Sequence, residues 1–119
     1  MIAGLTTHVL DTSRGRPAGG VRIDFSAVEP DGTVRLIKTV TTNADGRSDA
    51  PLLGPEAMRV GCYELRFHVG AYFRARGEAL PDPPFLDQVP VRFTIADSTS
   101  HYHVPLLVSP YGYTTYRGT

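Results

Sequence analysis

The 119-residue sequence is poor in cysteine and carries no excess charge of either sign. Its single cysteine, Cys62, forms no intrachain disulfide, which excludes a fold that depends on disulfide bonds. Twelve basic and twelve acidic residues give a formal net charge of zero. The sequence therefore lacks the basic excess that is typical of proteins that bind nucleic acid or a membrane surface. We expect neither a nucleic-acid partner nor a membrane partner.

Long hydrophobic runs are also missing. No stretch approaches the ~18 consecutive apolar residues of a membrane-spanning helix. Residues 1–17 are too polar, and their apolar run is too short, to resemble a signal peptide. We therefore expect a cytoplasmic protein. A chain of this length has room for one ordinary core, so residues 1–119 are predicted to form one domain.

The dominant pattern is period-two alternation, as in residues 21–27 (VRIDFSA), which is typical of a strand with one buried face. Similar runs predict strands near residues 4–10, 21–27, 33–41, 62–69, 89–95, 100–108 and 113–117. Residues 29–32 (EPDG) and 43–46 (NADG) have turn composition, and only residues 70–77 indicate a helix, a short one. The pattern predicts an all-β fold: an antiparallel β-sandwich of two sheets, with seven to eight strands and one short helix.

Four histidines are candidates for a functional site. His8 lies in an otherwise apolar or hydroxylic strand, which is also typical of a partly buried histidine with a structural hydrogen bond. His101 and His103 are two residues apart in a strand and so project to one face. That spacing is a weak zinc signal, but no cysteine or acidic residue lies nearby in sequence, and we expect no metal site. His68 alternates with charged residues and is predicted to be solvated.

Histidines and an arginine together suggest one kind of chemistry. A neutral imidazole accepts a proton from water near neutral pH, because its ordinary pKa is about 6.5. The planar donor fork of arginine holds a carbonyl or an anionic heterocycle. Two histidines, an arginine such as Arg47 and a hydroxyl would form a hydrolytic site without a metal or a covalent nucleophile. Arg47 alone, after an Asp-Gly turn, is equally typical of a solvated turn residue, and sequence spacing does not show that these groups meet.

Three stretches resemble one known family, the 5-hydroxyisourate hydrolases, which are transthyretin-related enzymes of urate degradation. Residues 5–11 (LTTHVLD), together with residues 15–18 (GRPA), resemble the N-terminal signature of that family. Residues 42–47 (TNADGR) resemble its arginine turn, and residues 101–119 (HYHVPLLVSPYGYTTYRGT) resemble its C-terminal signature nearly throughout. The resemblance extends over the whole chain, and the C-terminal stretch is its most specific part.

The resemblance implies a transthyretin-like fold and a set of site residues. The implied catalytic residues are His8, Arg47 and His103. The implied substrate-binding residues are His8, Arg47, Tyr116, Arg117, Gly118 and Thr119. Thr119 departs from the family pattern, in which serine is usual; threonine keeps the hydroxyl and adds a methyl group. The resemblance also implies a homotetramer, a dimer of dimers with its sites at the dimer–dimer interface, and no cofactor.

The implied reaction is hydrolysis of 5-hydroxyisourate at its N1–C6 amide, which yields 2-oxo-4-hydroxy-4-carboxy-5-ureidoimidazoline. Two alternatives compete with this hypothesis. A transthyretin-like carrier of a small molecule would have the same fold, but it needs no pair of imidazoles. An adhesive immunoglobulin-like sandwich would favour disulfides or long edge strands and a chain end without functional groups, and the sequence has none of these features.

Overall fold

The computed structural model describes residues 2–119 as two four-stranded sheets that enclose one apolar core. The strands are β1 (Gly4–Asp11), β2 (Arg16–Pro17), β3 (Arg22–Val28), β4 (Val34–Thr41), β5 (Gly61–His68), β6 (Gln88–Ile95), β7 (His101–Ser109) and β8 (Gly112–Thr115). A 3-10 helix covers Pro55–Ala57, and helix α1 covers Val69–Ala75. The predicted β-sandwich is confirmed. No helix within residues 2–119 has the length and apolarity needed to cross a bilayer.

The core lies between the sheets, and alternation along each strand decides which side chains enter it. In β1, Leu5 and Val9 are fully buried, whereas Thr6 and His8 are half-buried on the opposite face. Leu106 of β7 is likewise fully buried. Burial of an aliphatic side chain of this size contributes roughly 1.5–3 kcal/mol. The apolar positions of both strands therefore determine which of their residues remain on the outer face of the sheet.

The first sheet, in the order β2-β1-β7-β8, contains a parallel pair that the sequence pattern did not predict. Strands β1 and β7 run parallel, with Gly4 opposite His101, Thr6 opposite His103 and His8 opposite Pro105. The other strand pairs in the described part of the chain are antiparallel, as expected. This pairing brings the first strand next to the histidine-bearing strand, although about a hundred residues separate them in sequence.

Two short elements were missed by the sequence analysis, namely β2 and the 3-10 helix. Strand β2 has two residues and pairs with the end of β1, where Asp11 lies opposite Arg16. The 3-10 helix has three residues. Neither is long enough to show a period of 2 or 3.6 residues, so hydrophobic patterning carries no signal for them.

The predicted last strand over residues 113–117 ends earlier, at Thr115. Continuing the β7–β8 register would place Tyr116 opposite Pro105. Because Pro105 has no N–H group, it donates no hydrogen bond to the partner strand at that point. The chain then returns to the same register, since Gly118 forms an isolated bridge with His103 and its N–H donates to the His103 carbonyl at 2.7 Å. The proline thus explains the break in the strand.

The prediction that His68 is solvated is wrong. Its side chain is 17% exposed, and its Nε2 lies 2.9 Å from Oδ2 of Asp24 on the neighbouring strand β3. Thr39 of β4 donates to the other oxygen of the same carboxylate at 2.9 Å. Alternation placed His68 on the correct polar face, but it does not identify the cross-strand neighbours that cover a side chain there.

Candidate active site

The outer face of β1 and β7 carries a cluster that we call the histidine face, consisting of Thr6, His8, His101 and His103. All four side chains are half-buried. The parallel register sets Thr6 opposite His103, so residues from the two ends of the chain share one surface. The prediction that His101 and His103 project to one face is confirmed, because both rings lie within hydrogen-bond distance of the Thr6 hydroxyl.

The turn over residues 43–46 brings Arg47 to this face. Oδ1 of Asn43 accepts hydrogen bonds inside the turn, including one from the Arg47 N–H at 3.2 Å. Gly46 has a φ of +75° and lies against the carbonyl of Val9, so a side chain at this position would be strained and would collide. The Val9 N–H donates to the Gly46 carbonyl at 2.8 Å. As a result, Arg47 is the antiparallel bridge partner of His8.

Burial and positive charge keep the two implied catalytic imidazoles neutral. Burial is the main cause that lowers the pKa of His8, and the Arg47 guanidinium lowers it further; a hydrogen bond with the Asp45 backbone and the charge of Asp45 act in the opposite direction. Burial also lowers the pKa of His103, followed by the charges of Arg47, His8 and His101. Both imidazoles are therefore available as proton acceptors at pH 7, where an ordinary histidine is already mostly neutral.

Thr6 links His101 and His103, two of the other three members of the cluster. Its Oγ1 lies 2.8 Å from Nδ1 of His103 and 3.1 Å from Nε2 of His101. The two imidazoles of the His-x-His stretch thus converge on one hydroxyl. Within residues 2–119, no group of three histidine, cysteine or acidic side chains is arranged to hold a metal ion. Sequence analysis missed Thr6, although alternation places it on the same face as His8.

The C-terminal tail lies against His103. The Gly118 N–H donates to the His103 carbonyl, and a Cβ atom on Gly118 would lie 2.6 Å from Cδ2 of the His103 ring. Real Cβ atoms essentially never approach another atom so closely. The glycine therefore allows the terminal backbone to pack directly on the edge of the imidazole.

Arg117 points to the other side of β7. Its guanidinium carbon lies 4.0 Å from the centre of the Tyr102 ring, and its Nη2 donates to the His101 carbonyl at 3.1 Å. Tyr102 is a buried residue on the core-facing side of β7, whereas the His103 imidazole is on the outer face. The arginine side chain thus holds the tail against the core-facing side of β7, away from the imidazole cluster on the outer face.

The structure brings together part of the set implied by the sequence. His8, Arg47 and His103 meet on the histidine face, together with the backbone of Gly118. Tyr116 and Thr119 are exposed, and within residues 2–119 their side chains form no hydrogen bond with these three residues. One chain therefore presents the two imidazoles and the guanidinium on an open surface.

Two neutral imidazoles beside a guanidinium are suited to hydrolysis. The imidazoles can take a proton from water, and a fixed cation stabilises the oxyanion that forms when water attacks a carbonyl carbon. Arg47 makes no ion pair with a carboxylate in the described part of the chain, so its charge is available to a substrate.

Comparisons with known proteins agree on one family. The family model described as the HIUase/Transthyretin family matches residues 5–118. The chain is 61% identical to the 5-hydroxyisourate hydrolase 2 of Rhizobium meliloti (strain 1021) over 115 residues, 97% of this chain and 95% of that relative.

Solved structures share the fold. The chain superposes on (S)-allantoin synthase with a TM-score of 0.89 and 42% identity; the match covers all of this chain but only 46% of that one. It superposes on sea bream transthyretin in complex with thyroxine with a TM-score of 0.85 and 31% identity, covering 97% of this chain and 94% of the other.

The electrostatic arrangement predicts the effect of removing the guanidinium. In Arg47→Gln, the pKa of both His8 and His103 should rise, because the positive charge that disfavours their protonated forms is gone. An NMR pH titration of the two imidazole Cε1 protons measures this. Lys38→Gln, which removes a cation from β4 in the other sheet, is the control and should leave both values unchanged. A pKa that stays constant or falls in Arg47→Gln would contradict the arrangement.

Proposed function

The chain belongs to the HIUase/Transthyretin family, and from that premise we propose that it hydrolyses 5-hydroxyisourate to 2-oxo-4-hydroxy-4-carboxy-5-ureidoimidazoline. The observation that carries the proposal is the meeting of His8, Arg47 and His103 on one open face, where burial and the Arg47 charge lower the pKa of both imidazoles. The name of the 61% identical relative supports the choice of substrate.

The proposed reaction needs no cofactor or covalent intermediate. His103 and His8 position a water molecule and take its proton while the water oxygen attacks C6 of the substrate. Arg47 binds the substrate and stabilises the oxyanion that develops on the C6 carbonyl. The tetrahedral intermediate then collapses: the C6–N1 bond breaks, the imidazolium returns its proton to N1, and C6 becomes a carboxylic acid group, which gives its proton to solvent at neutral pH.

The tail completes the proposed pocket. Gly118 presents backbone beside His103, and we assign to the hydroxyls of Tyr116 and Thr119 the orientation of substrate or water. Arg117 contributes through its backbone, because its guanidinium is engaged with Tyr102. The added methyl group of Thr119 makes this terminus bulkier than the serine that is usual in the family.

The assembly is part of the same proposal. The histidine face of a single chain is open, and the exposed tail lies at its border. We assign this face to a dimer–dimer interface in a homotetramer, where a second subunit would close the pocket and exclude bulk water. A transthyretin-like carrier is the competing hypothesis, because sea bream transthyretin with thyroxine has the same fold. A carrier has no use for two neutral imidazoles beside a cation.

The test of the function is the ultraviolet absorbance of freshly generated 5-hydroxyisourate, followed with and without the protein. His8→Asn and His103→Asn should each reduce turnover, since general acid–base groups contribute about 10²- to 10⁴-fold. His68→Asn, on the other sheet, should keep parental turnover. Decay of the substrate at the uncatalysed rate in the presence of the parent protein would favour the carrier. Parental activity in both site variants would show that the imidazoles are not the bases.

The contact between the tail and the imidazole predicts a second result. In Gly118→Ala, the new Cβ forces either the His103 ring or the terminal backbone to move, because it would lie 2.6 Å from Cδ2. We expect turnover to fall at least ~10-fold, which corresponds to only ~1.4 kcal/mol of lost transition-state stabilisation. Gly112→Ala is the matched control, since its nearest atom is 3.9 Å away, an ordinary contact. Equal rates in the two variants would refute a role for the packed tail.

The proposed tetramer predicts a mass. Sedimentation at the assay concentration should give about four times the 12.9 kDa of one chain. A fully active monomer at that concentration would contradict a site that a second subunit completes.

A further inference from the structure

We propose that Thr6 is a positioning residue that sets the tautomer of His103. Its hydroxyl accepts a hydrogen bond from Nδ1–H of His103 and donates one to Nε2 of His101, so that Nε2 of His103 carries a lone pair towards the substrate. This assignment rests on the proposed hydrolysis, in which His103 accepts a proton from water.

The geometry limits the possible arrangements. Oγ1 of Thr6 is within hydrogen-bond distance of both ring nitrogens, at 2.8 Å from His103 and 3.1 Å from His101. A hydroxyl has one proton to donate, so the two neutral imidazoles cannot both be acceptors. If both donated to Thr6, its own proton would have no acceptor among the side-chain contacts of residues 2–119, which is costly at a partly buried site. The two favoured arrangements are therefore those in which the hydroxyl donates to one histidine and accepts from the other.

The orientation of the His103 ring is determined from two sides. Its Nδ1 faces Thr6, and its Cδ2 edge faces the backbone of Gly118. Turning the ring over would remove Nδ1 from the hydroxyl and place it against Gly118. Thr6 is itself stiff, because it is β-branched and lies in a strand directly opposite His103. Nε2 is therefore the nitrogen of His103 that remains for the substrate.

Only one of the two arrangements allows Nε2 of His103 to act as the proton acceptor in the proposed reaction. If Thr6 donated to Nδ1 of His103, the imidazole would carry its proton on Nε2 and could not accept one from water there. In the opposite arrangement, Nε2 accepts the proton of the attacking water, while Nδ1–H stays bonded to Thr6 throughout. The imidazolium then forms without any rotation of its partners, which is the advantage of a preorganised site. His101 has the role of the acceptor that orients the Thr6 hydroxyl.

The first test reads the tautomer directly in the full-length protein. Nitrogen-15 NMR of the His103 ring at about pH 8, well above the ordinary imidazole pKa of about 6.5, should show a protonated Nδ1 and an unprotonated Nε2. A protonated Nε2 in the parent protein would overturn the assignment. This readout does not depend on the substrate. Absence of turnover in the parent would therefore refute the proposed function, and the nitrogen shifts would still decide the tautomer.

The second test uses matched variants of neighbouring threonines. Thr6→Val keeps the shape of the side chain but removes the hydroxyl, so His103 should become a mixture of its two tautomers. We expect kcat to fall at least ~10-fold and KM to stay nearly unchanged. This fall is smaller than the ~10²- to 10⁴-fold contribution of an acid–base group, because the imidazole itself is still present. Thr6→Ser restores the hydroxyl and should restore both tautomer and kcat.

Thr7→Val is the control, because Thr7 is buried on the core side of β1 and its hydroxyl donates to the Val104 carbonyl, at 2.7 Å. It should lower stability without changing the His103 nitrogen shifts. If Thr6→Val kept the parental tautomer and kcat, or if Thr7→Val altered them equally, Thr6 would have only a structural role.

Discussion

The parallel pairing of β1 and β7 is the constraint on which the site depends. It sets Thr6 opposite His103 and places His8 two residues further along the same face. The register is secured from the core side, where Leu5, Val9 and Leu106 are fully buried. A shift of the strand register by one residue would expose these side chains and turn the histidines towards the core. The protein would then lose the burial free energy of several aliphatic side chains. The hydrophobic core thus determines the geometry of the polar face behind it.

Arg47 affects both the pKa of the two imidazoles in the free protein and the charges that develop in the proposed reaction. Its charge lowers the pKa of both imidazoles, after the larger effect of burial, and so favours their basic forms at neutral pH. The same charge makes an imidazolium beside it a stronger acid than an isolated one. A proton taken from water is therefore readily given up again, which suits a step in which the leaving nitrogen N1 must be protonated. In the proposed reaction, one cation thereby keeps the imidazoles unprotonated before the attack, stabilises the oxyanion and favours return of the proton.

Much of the sandwich could be predicted because alternation is a local signal. The strands near residues 4–10 and 100–108 were located within one residue of their observed limits. Strand partners are not local, so the parallel β1–β7 pair was not foreseen, and the role of Thr6 was not foreseen with it. Recognising the C-terminal signature identified the residues of the tail but not the direction of the Arg117 side chain. That direction follows from the strand register, which sets Arg117 on the core side next to Tyr102.

The terminus is docked by polar and backbone contacts, with little apolar burial. Pro105 interrupts the hydrogen-bond ladder between β7 and the strand that follows it. The Arg117 guanidinium packs on the Tyr102 ring, on the core-facing side of β7. The Gly118 N–H then restores a backbone hydrogen bond, to the His103 carbonyl. Of these three residues, Gly118 lies against one edge of the His103 imidazole, whose other edge faces Thr6. A binding pocket for an apolar ligand gains little from controlling the orientation of one histidine ring so closely. A general base gains directly, because its nitrogen must meet a water molecule at hydrogen-bond distance along a defined direction. The crowding around His103 is thus better explained by proton transfer than by transport.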